Sequence, residues 1–330
     1  MLRALAATAL HPVTISRMST ATILAPSLAE AAKPAVTADL VYYSGKTTDG
    51  EQPYQLQFPS PGPHLPSTNA ITATHPTEIH DLRPLLGTDA AKEIGIETTG
   101  FGILPRERTT TSLKYEDWAN EDKIQSVYYK EIEELFKREY GASRVIIFDH
   151  TIRRTEAPGA ETPDTVETRK PVSRVHVDQT PESGTRRVRR HGGADGERLL
   201  RGRAQLINVW RPLRGPVLDV PLAVADARTL DPARDLVRSR LLYPAEGPGA
   251  QPEGETLQVM YSKGLRWYYL SEMGPDEVLL LKCWENVPGG KHGTITPHTA
   301  FVDPRYYDKE GVQLRESIEV RALVFHEIDE

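Results

Sequence analysis

The second half of the chain alternates short strand-like segments with turns, and this alternation constrains the fold more than any other feature. A first strand candidate at Ala204–Trp210 precedes five more, most of them separated by glycine or proline pairs. Several short strands in succession argue for a β-sandwich or barrel and against βαβ units. The later candidates are Glu255–Tyr261, Leu265–Leu270, Glu277–Trp284, Thr294–Phe301 and Leu314–Phe325.

One amphipathic helix is predicted ahead of these strands. Apolar residues recur at spacings of three and four over residues 120–140, with Asn120 suited to cap the start and Gly141 to end the helix. We expect its apolar stripe to pack on the outside of one sheet. A strand pattern at Arg144–Phe148 follows, and an exposed polar loop is expected over residues 154–170.

The remaining segments carry weaker signals. Val41–Tyr43 predicts a strand, residues 44–110 are rich in loop-forming residues, and Asp231–Leu242 favours a helix. We expect a single domain over residues 37–330, with a loop and helix part to residue 150 and a β core from residue 151.

Residues 1–36 are rich in Ala, Thr, Ser and Pro and carry no acidic residue before Glu30. This composition predicts a flexible leader. Two other interpretations of the leader are a targeting segment and an alternative start at Met18.

Charge and cysteine content exclude several classes of function. The net charge of −6 gives no overall attraction to nucleic acid or anionic membranes, and no segment approaches the ~20 apolar residues of a membrane span. The basic run Arg186–Arg190 contains no aromatic residue that could stack on bases, so we interpret it as a solvated loop. The single cysteine, Cys283, excludes an internal disulfide and a zinc site built on several thiolates. We expect a cytoplasmic protein, with mitochondrial targeting by the leader left open.

Three residues form a candidate metal site. His176 and Asp178 lie two apart in a strand-like segment, so their side chains point to the same side, and His298 follows far downstream. Two imidazoles and one carboxylate can occupy one face of an octahedral Fe(II) and leave three positions open. A His-x-Asp pair alone is common by chance, and a core histidine is the alternative for His298. The order of the motifs along the chain makes the three residues ligand candidates.

The last strand candidate carries a carboxylate-binding pattern. Arg315 and Ser317 share a face, and their donors could hold the far end of a dicarboxylate such as 2-oxoglutarate while its keto-acid end chelates iron. Arg321 lies on the same face and is the alternative anchor. Asn208 is a further candidate to hydrogen-bond the bound acid, or alternatively a backbone group.

The segments TPHTAFVDP and RESIEVRALVF, supported by HVDQTPESGTRRVRR and WYYLSEMGPDEVLLLKCWEN, extend this pattern. On these segments the chain resembles the fungal Fe(II)/2-oxoglutarate oxygenases grouped with gibberellin desaturase and the cephem 7α-methoxylase-like proteins. The resemblance covers the chain from roughly Thr37 to the C-terminus. It implies a mainly β fold with flanking helices, namely a double-stranded β-helix (a jelly roll of the cupin type).

The resemblance also implies a function. We expect an enzyme that uses Fe(II), 2-oxoglutarate and O₂ to hydroxylate, desaturate or rearrange a small secondary metabolite after hydrogen abstraction from a C–H bond. One alternative is a cupin-like metal-dependent isomerase or hydrolase, and another is a non-catalytic binding protein on the same barrel. The oligomeric state is open, with a homodimer among the alternatives.

Overall fold

The computed structural model of the protein describes residues 28–32, 34–156, 159–160, 169–247, 250–287 and 295–326. Residues 1–27 of the predicted leader and most of the predicted loop 154–170 lie outside the described residues, as does Thr294 at the start of its strand candidate. Leu28 of the predicted leader is fully buried in a short helix, and the first strand begins at Pro34.

Strands make up most of the described secondary structure. They are β1 (Pro34–Thr47), β2 (Tyr54–Leu56), β3 (Ala70–Asp81), β4 (Phe101–Leu104), β5 (Arg144–Arg154), β6 (His176–Val177), β7 (Arg203–Pro212), β8 (Leu222–Ala225), β9 (Leu236–Leu242), β10 (Gly254–Val259), β11 (Trp267–Tyr269), β12 (Val278–Glu285), β13 (His298–Ala300) and β14 (Glu316–His326). The helices are α1 (Leu28–Ala31), α2 (Glu121–Lys123), α3 (Tyr129–Tyr140), α4 (Pro181–Gly192), α5 (Gly196–Arg201) and α6 (Pro232–Asp235).

Two sheets form the body of the protein. Five antiparallel strands in the order β4-β12-β7-β14-β5 make the smaller sheet, and nine strands in the order β1-β3-β11-β8-β13-β6-β10-β9-β2 make the larger one. The larger sheet is mixed and curled, because β1 forms bridges from Val41 to Arg174 and from Tyr43 to Met260 beyond its regular partner. The predicted double-stranded β-helix type of fold is confirmed.

Three apolar clusters stabilise these layers. One lies between the two sheets and includes Leu206, Val224 and Cys283. A second is formed where Ile132 and Phe136 of α3 pack against the outer face of the smaller sheet, and a third is enclosed by the curl of the larger sheet. Burial of such side chains contributes roughly 1.5–3 kcal/mol each. The site described below shares the space between the sheets with the first cluster.

The predicted helix over residues 120–140 is confirmed. The Asn120 side chain accepts a hydrogen bond from the N–H of Lys123, and Gly141 adopts a left-handed conformation with a φ of 64° that ends α3. A π-helical turn over residues 124–128 joins α2 to α3.

Two expectations about the other segments are wrong. Residues 44–110, read as loop-rich, contain the twelve-residue strand β3, whose β-branched residues alternate around Pro76 and pair with β1. The predicted helix Asp231–Leu242 is one helical turn followed by β9. In β9 Arg238 and Arg240 lie on one face and Ser239 lies between them on the other, and the strand pairs with β10, so the period is two and not 3.6.

The prediction of a solvated loop for the basic run Arg186–Arg190 is wrong, because the run lies on α4. Thr180 caps the helix by accepting from the N–H of Ser183, whose hydroxyl accepts from the N–H of Thr180 in return. Pro181 occupies the first helical position, where its missing N–H costs nothing. None of the helices in the described part of the chain is long and apolar enough to span a membrane.

Candidate metal centre and its pocket

The three predicted ligands meet on the inner face of the larger sheet. β6 and β13 are neighbours there, and His176 and His298 occupy directly opposed positions in the antiparallel register. Their rings lie 4.4 Å apart, and Asp178 follows β6 by one residue on the same side. His176 Nε2 lies 3.2 Å and His298 Nε2 lies 3.6 Å from Asp178 Oδ1. Local alternation and one strand pairing therefore create the cluster.

Backbone carbonyls fix both imidazoles in the same way. His176 Nδ1 lies 2.8 Å from the carbonyl oxygen of Arg174, and His298 Nδ1 lies 2.9 Å from that of Thr296. A carbonyl oxygen can only accept, so each Nδ1 carries the proton and donates it. Burial and the neighbouring His176 lower the pKa of His298, which keeps this imidazole neutral. The Nε2 lone pairs are therefore turned towards Asp178.

The carboxylate of Asp178 is ionised and held in place. Burial raises its pKa, but contacts with His176, His298 and Arg321 lower it by more, so the pKa lies well below its usual range. The side-chain amide of Asn208 donates to Asp178 Oδ2 at 2.6 Å, and the buried Cys283 thiol lies 3.9 Å from the same oxygen. The hydrogen bond from Asn208 holds Oδ2, so Asp178 Oδ1 faces the two imidazoles.

The geometry fits a divalent cation. The three ligand atoms lie within 4.8 Å of one another, and they bring two imidazoles and one carboxylate towards one point. A cation at that point would be bound by all three groups. Two histidines and one carboxylate with open positions are the facial set that suits non-haem Fe(II), and the carbonyl and amide contacts are its usual supports.

A pocket opens from this cluster between the two sheets. Strands β5, β7 and β14 of the smaller sheet supply its opposite wall. The lining residues are Thr151, Arg153, Val172, His176, Asp178, Trp210, Leu222, His298, Thr299, Ala300, Arg315, Ser317, Glu319 and Arg321.

Arg315 lies deep in this pocket, and its backbone N–H donates to Asp219 Oδ2 at 3.0 Å. Its guanidinium donates to Ser317 Oγ at 3.1 Å and to the Val220 carbonyl at 2.9 Å, and it stacks over the Trp210 ring at 5.0 Å. No carboxylate of the described residues lies within ion-pair distance of this guanidinium. Burial, together with the nearby Arg153, lowers the pKa of Arg315 to about 9. Such a cation is stabilised by an anionic ligand.

Arg321, the other predicted anchor, already has carboxylate partners. It donates to Asp149 Oδ2 at 2.9 Å and to Glu319 Oε1 at 2.6 Å, and its Nε lies 4.0 Å from Asp178 Oδ2. The metal cluster forms one end of the pocket, and Arg321 lies beside it. Arg315 lies at the other end of the pocket.

The structure brings every predicted site residue into one place, since all line the pocket except Asn208, which contacts Asp178. Sequence reasoning missed Thr151 and Arg153, because the strand candidate was ended at Phe148. Continued to Arg154, its alternation would have placed Asp149, Thr151 and Arg153 on one face.

Comparisons with known proteins agree with this geometry. A family described as "Oxidoreductase/YMDC permease-like domain" matches residues 40–325. The chain is 32% identical to the alpha-ketoglutarate-dependent dioxygenase tstK of Talaromyces stipitatus, over 87% of this chain and 96% of tstK. It is 34% identical to the hydroxylase/desaturase efuI of Hormonema carpetanum, over 80% of this chain and 88% of efuI.

A solved structure is similar over nearly its whole length. The iron and alpha-ketoglutarate-dependent endoperoxidase NvfI matches with a TM-score of 0.71 and 27% identity, covering 88% of this chain and 98% of NvfI. The nvfI protein of Aspergillus novofumigatus is also similar in sequence, at 31% identity over 83% of this chain and 91% of its own length.

The fold and the two-histidine, one-carboxylate cluster define a non-haem iron oxygenase that uses 2-oxoglutarate and acts on a small molecule. The chain belongs to the fungal Fe(II)/2-oxoglutarate-dependent dioxygenases of the hydroxylase/desaturase family. The predicted family, enzyme class and cofactors are confirmed.

Proposed function

We propose that His176, Asp178 and His298 bind Fe(II) and that Arg315 with Ser317 binds the distal carboxylate of 2-oxoglutarate. One observation carries this assignment. The ligand cluster forms one end of the pocket, and a buried guanidinium without a carboxylate partner lies at the other. A five-carbon dicarboxylate would satisfy both ends, with its keto-acid group on the metal.

The choice of Arg315 over Arg321 rests on their partners. The donors of Arg321 are engaged by Asp149 and Glu319, so a further carboxylate would compete with two existing ones. The forked N–H donors of Arg315 lie beside the Ser317 hydroxyl, and stacking on Trp210 fixes the plane of the guanidinium. A pre-oriented guanidinium loses little side-chain entropy on binding.

Bound iron supplies, together with 2-oxoglutarate and O₂, the oxidising power to remove hydrogen from a C–H bond while the co-substrate becomes succinate and CO₂. Residues of this chain orient the metal ligands and exclude water. Carbonyls of Arg174 and Thr296 aim the two imidazoles, and Asn208 aims Asp178. Buried side chains such as Leu222 and Ala300 exclude water beside His298.

We further propose that the substrate is a fungal secondary metabolite that is hydroxylated, desaturated or rearranged. The names of relatives support this class, among them the hydroxylase/desaturase efuI and the aspirochlorine biosynthesis protein N of Aspergillus oryzae. We also propose that residues 37–330 act as a single oxygenase domain in the cytoplasm. The position of the site between the two sheets supports the single domain. The single buried cysteine supports the location in the cytoplasm.

The test is an anaerobic titration of the protein with Fe(II) and then 2-oxoglutarate, followed by the visible charge-transfer band of a chelated keto acid. We expect the band in the wild type and its loss in His298→Ala. Arg315→Gln should form the band only at 2-oxoglutarate concentrations at least about 30-fold higher, because a buried charge pair is lost. Arg240→Gln, which removes an exposed ion pair with Glu253, is the matched control and should behave as the wild type.

Two outcomes would contradict the assignment. A wild type that binds iron without forming the band would favour a cupin-like isomerase, hydrolase or binding protein that does not use 2-oxoglutarate. An unchanged titration in Arg315→Gln, with a weakened one in Arg321→Gln, would move the anchor to Arg321.

A further inference from the structure

A second arginine in the pocket has no role in the assignment above. Arg153 lies on β5, directly opposite Ser317 in the antiparallel register with β14, and it lines the same pocket. Because alternate residues of a strand share a face, Arg153 points into the pocket while its neighbour Arg154 points to the surface and pairs with Glu316.

Among the described residues, the guanidinium of Arg153 has one hydrogen-bond partner. Nη1 donates to the Lys170 carbonyl at 2.9 Å, and within the described chain no carboxylate lies within ion-pair distance. Glu319 lies on the facing strand but accepts from Arg321 at 2.6 Å. Burial lowers the pKa of Arg153. A partly buried guanidinium with one neutral partner is unfavourable unless an anion completes it.

The co-substrate does not account for this second cation. In the proposed function, one carboxylate of 2-oxoglutarate reaches the metal and the other reaches Arg315. Arg153 lies on the edge strand of the smaller sheet, opposite Ser317 and close enough to Arg315 to lower its pKa. The single distal carboxylate of 2-oxoglutarate can neutralise only one of these two guanidinium groups, so Arg153 is available to a second anion in the pocket.

We propose that the substrate carries a carboxylate and that Arg153 binds it, which orients the substrate relative to His176 and His298. This inference rests on the proposed function, because it takes the metal and Arg315 ends of the pocket as filled. A single planar guanidinium matches a singly charged carboxylate in a two-bond fork. Arg153 is then a positioning residue that selects acidic substrates over their neutral analogues.

The experiment measures binding of paired probes by calorimetry under anaerobic conditions, with the full chain loaded with Fe(II) and saturating 2-oxoglutarate. The probes are benzoate, cyclohexanecarboxylate and indole-3-acetate, each beside its primary amide. We expect the wild type to bind at least one acid about tenfold or more tightly than its amide. Arg153→Gln should lose this preference and Arg153→Lys should keep part of it, whereas Arg154→Gln, the matched control on the opposite face, should keep it fully.

The charge-transfer titration separates the two proposals. If the band fails in the wild type, the proposed function is wrong. If the band forms in the wild type and in Arg153→Gln at similar 2-oxoglutarate concentrations, but the wild type shows no acid preference, only the role of Arg153 is wrong. A loss of 2-oxoglutarate affinity in Arg153→Gln as large as that in Arg315→Gln would also overturn this role, because it would assign Arg153 to the co-substrate.

Discussion

At the scale of single residues, the metal cluster depends on the groups that orient its ligands. Each histidine donates its Nδ1 proton to the carbonyl two residues before it, so the strand backbone itself sets the tautomer. Asp178 has no such backbone partner among the described residues, and the side chain of Asn208 orients it. Asn208 is fully buried, and its Oδ1 has no hydrogen-bond partner among the described residues.

Asn208 should therefore affect metal affinity without being a ligand. In Asn208→Ala the Asp178 carboxylate loses the 2.6 Å hydrogen bond that holds Oδ2, and it is free to rotate away from the histidines. We expect Fe(II) affinity to fall by about 10- to 100-fold, as measured by anaerobic titration against a competing chelator. Asn69→Ala, another buried asparagine truncation, which removes a hydrogen bond to Asp49 outside the pocket, is the control. An unchanged affinity in Asn208→Ala would mean that the histidines alone orient the carboxylate.

At the scale of elements, α4 packs against β12 and β5 of the smaller sheet and β10 of the larger one, and one of its contacts is unusually close. Gly184 on its first turn lies against the indole of Trp284 on β12, whose Nε1 donates to the Pro181 carbonyl at 2.9 Å. A Cβ at position 184 would come closer to the ring than real Cβ atoms come to any neighbour. The glycine is required here for close approach and not for an unusual backbone angle.

Replacing this glycine should destabilise the protein although alanine is the better helix former. In an exposed helix Gly→Ala stabilises by about 1 kcal/mol. In Gly184→Ala the clash with Trp284 should outweigh that gain and leave a net loss of about 1–3 kcal/mol, measured by urea unfolding. Arg189→Ala, on the exposed face of the same helix, should change stability by less than about 0.5 kcal/mol. A stabilised Gly184→Ala protein would contradict the close packing of α4.

Elements with a local signal could be predicted from the sequence, and those that depend on distant partners could not. The caps at Asn120 and Gly141 and the shared side of His176 and Asp178 follow from neighbouring residues. The strand β9 was mistaken for a helix because its pairing with β10 overrides local preference. The meeting of His176 with His298 depends on a pairing 122 residues away in the chain, which only the family resemblance indicated.

At the scale of the whole molecule, the site requires both sheets. The larger sheet supplies His176, Asp178 and His298, whereas the smaller sheet supplies Asn208 and Arg315. All three proposed metal ligands lie on the larger sheet, but Asn208, which orients Asp178, lies on the smaller one, so the metal site is complete only where the two sheets are packed together. Metal binding should therefore be coupled to folding of the entire domain, and not to one part of it.

This coupling gives a prediction for thermal stability. Mn(II), which accepts the same nitrogen and oxygen donors, should raise the free energy of unfolding by about 2.7 kcal/mol at a hundredfold excess over its Kd. In calorimetric scans of the apo and metal-loaded protein we expect one transition that moves upwards by about 4 °C as a unit. The variant His298→Ala should melt at the same temperature with and without metal. Two transitions, of which only one responds to Mn(II), would contradict the single domain over residues 37–330 and would show that the sheets unfold independently.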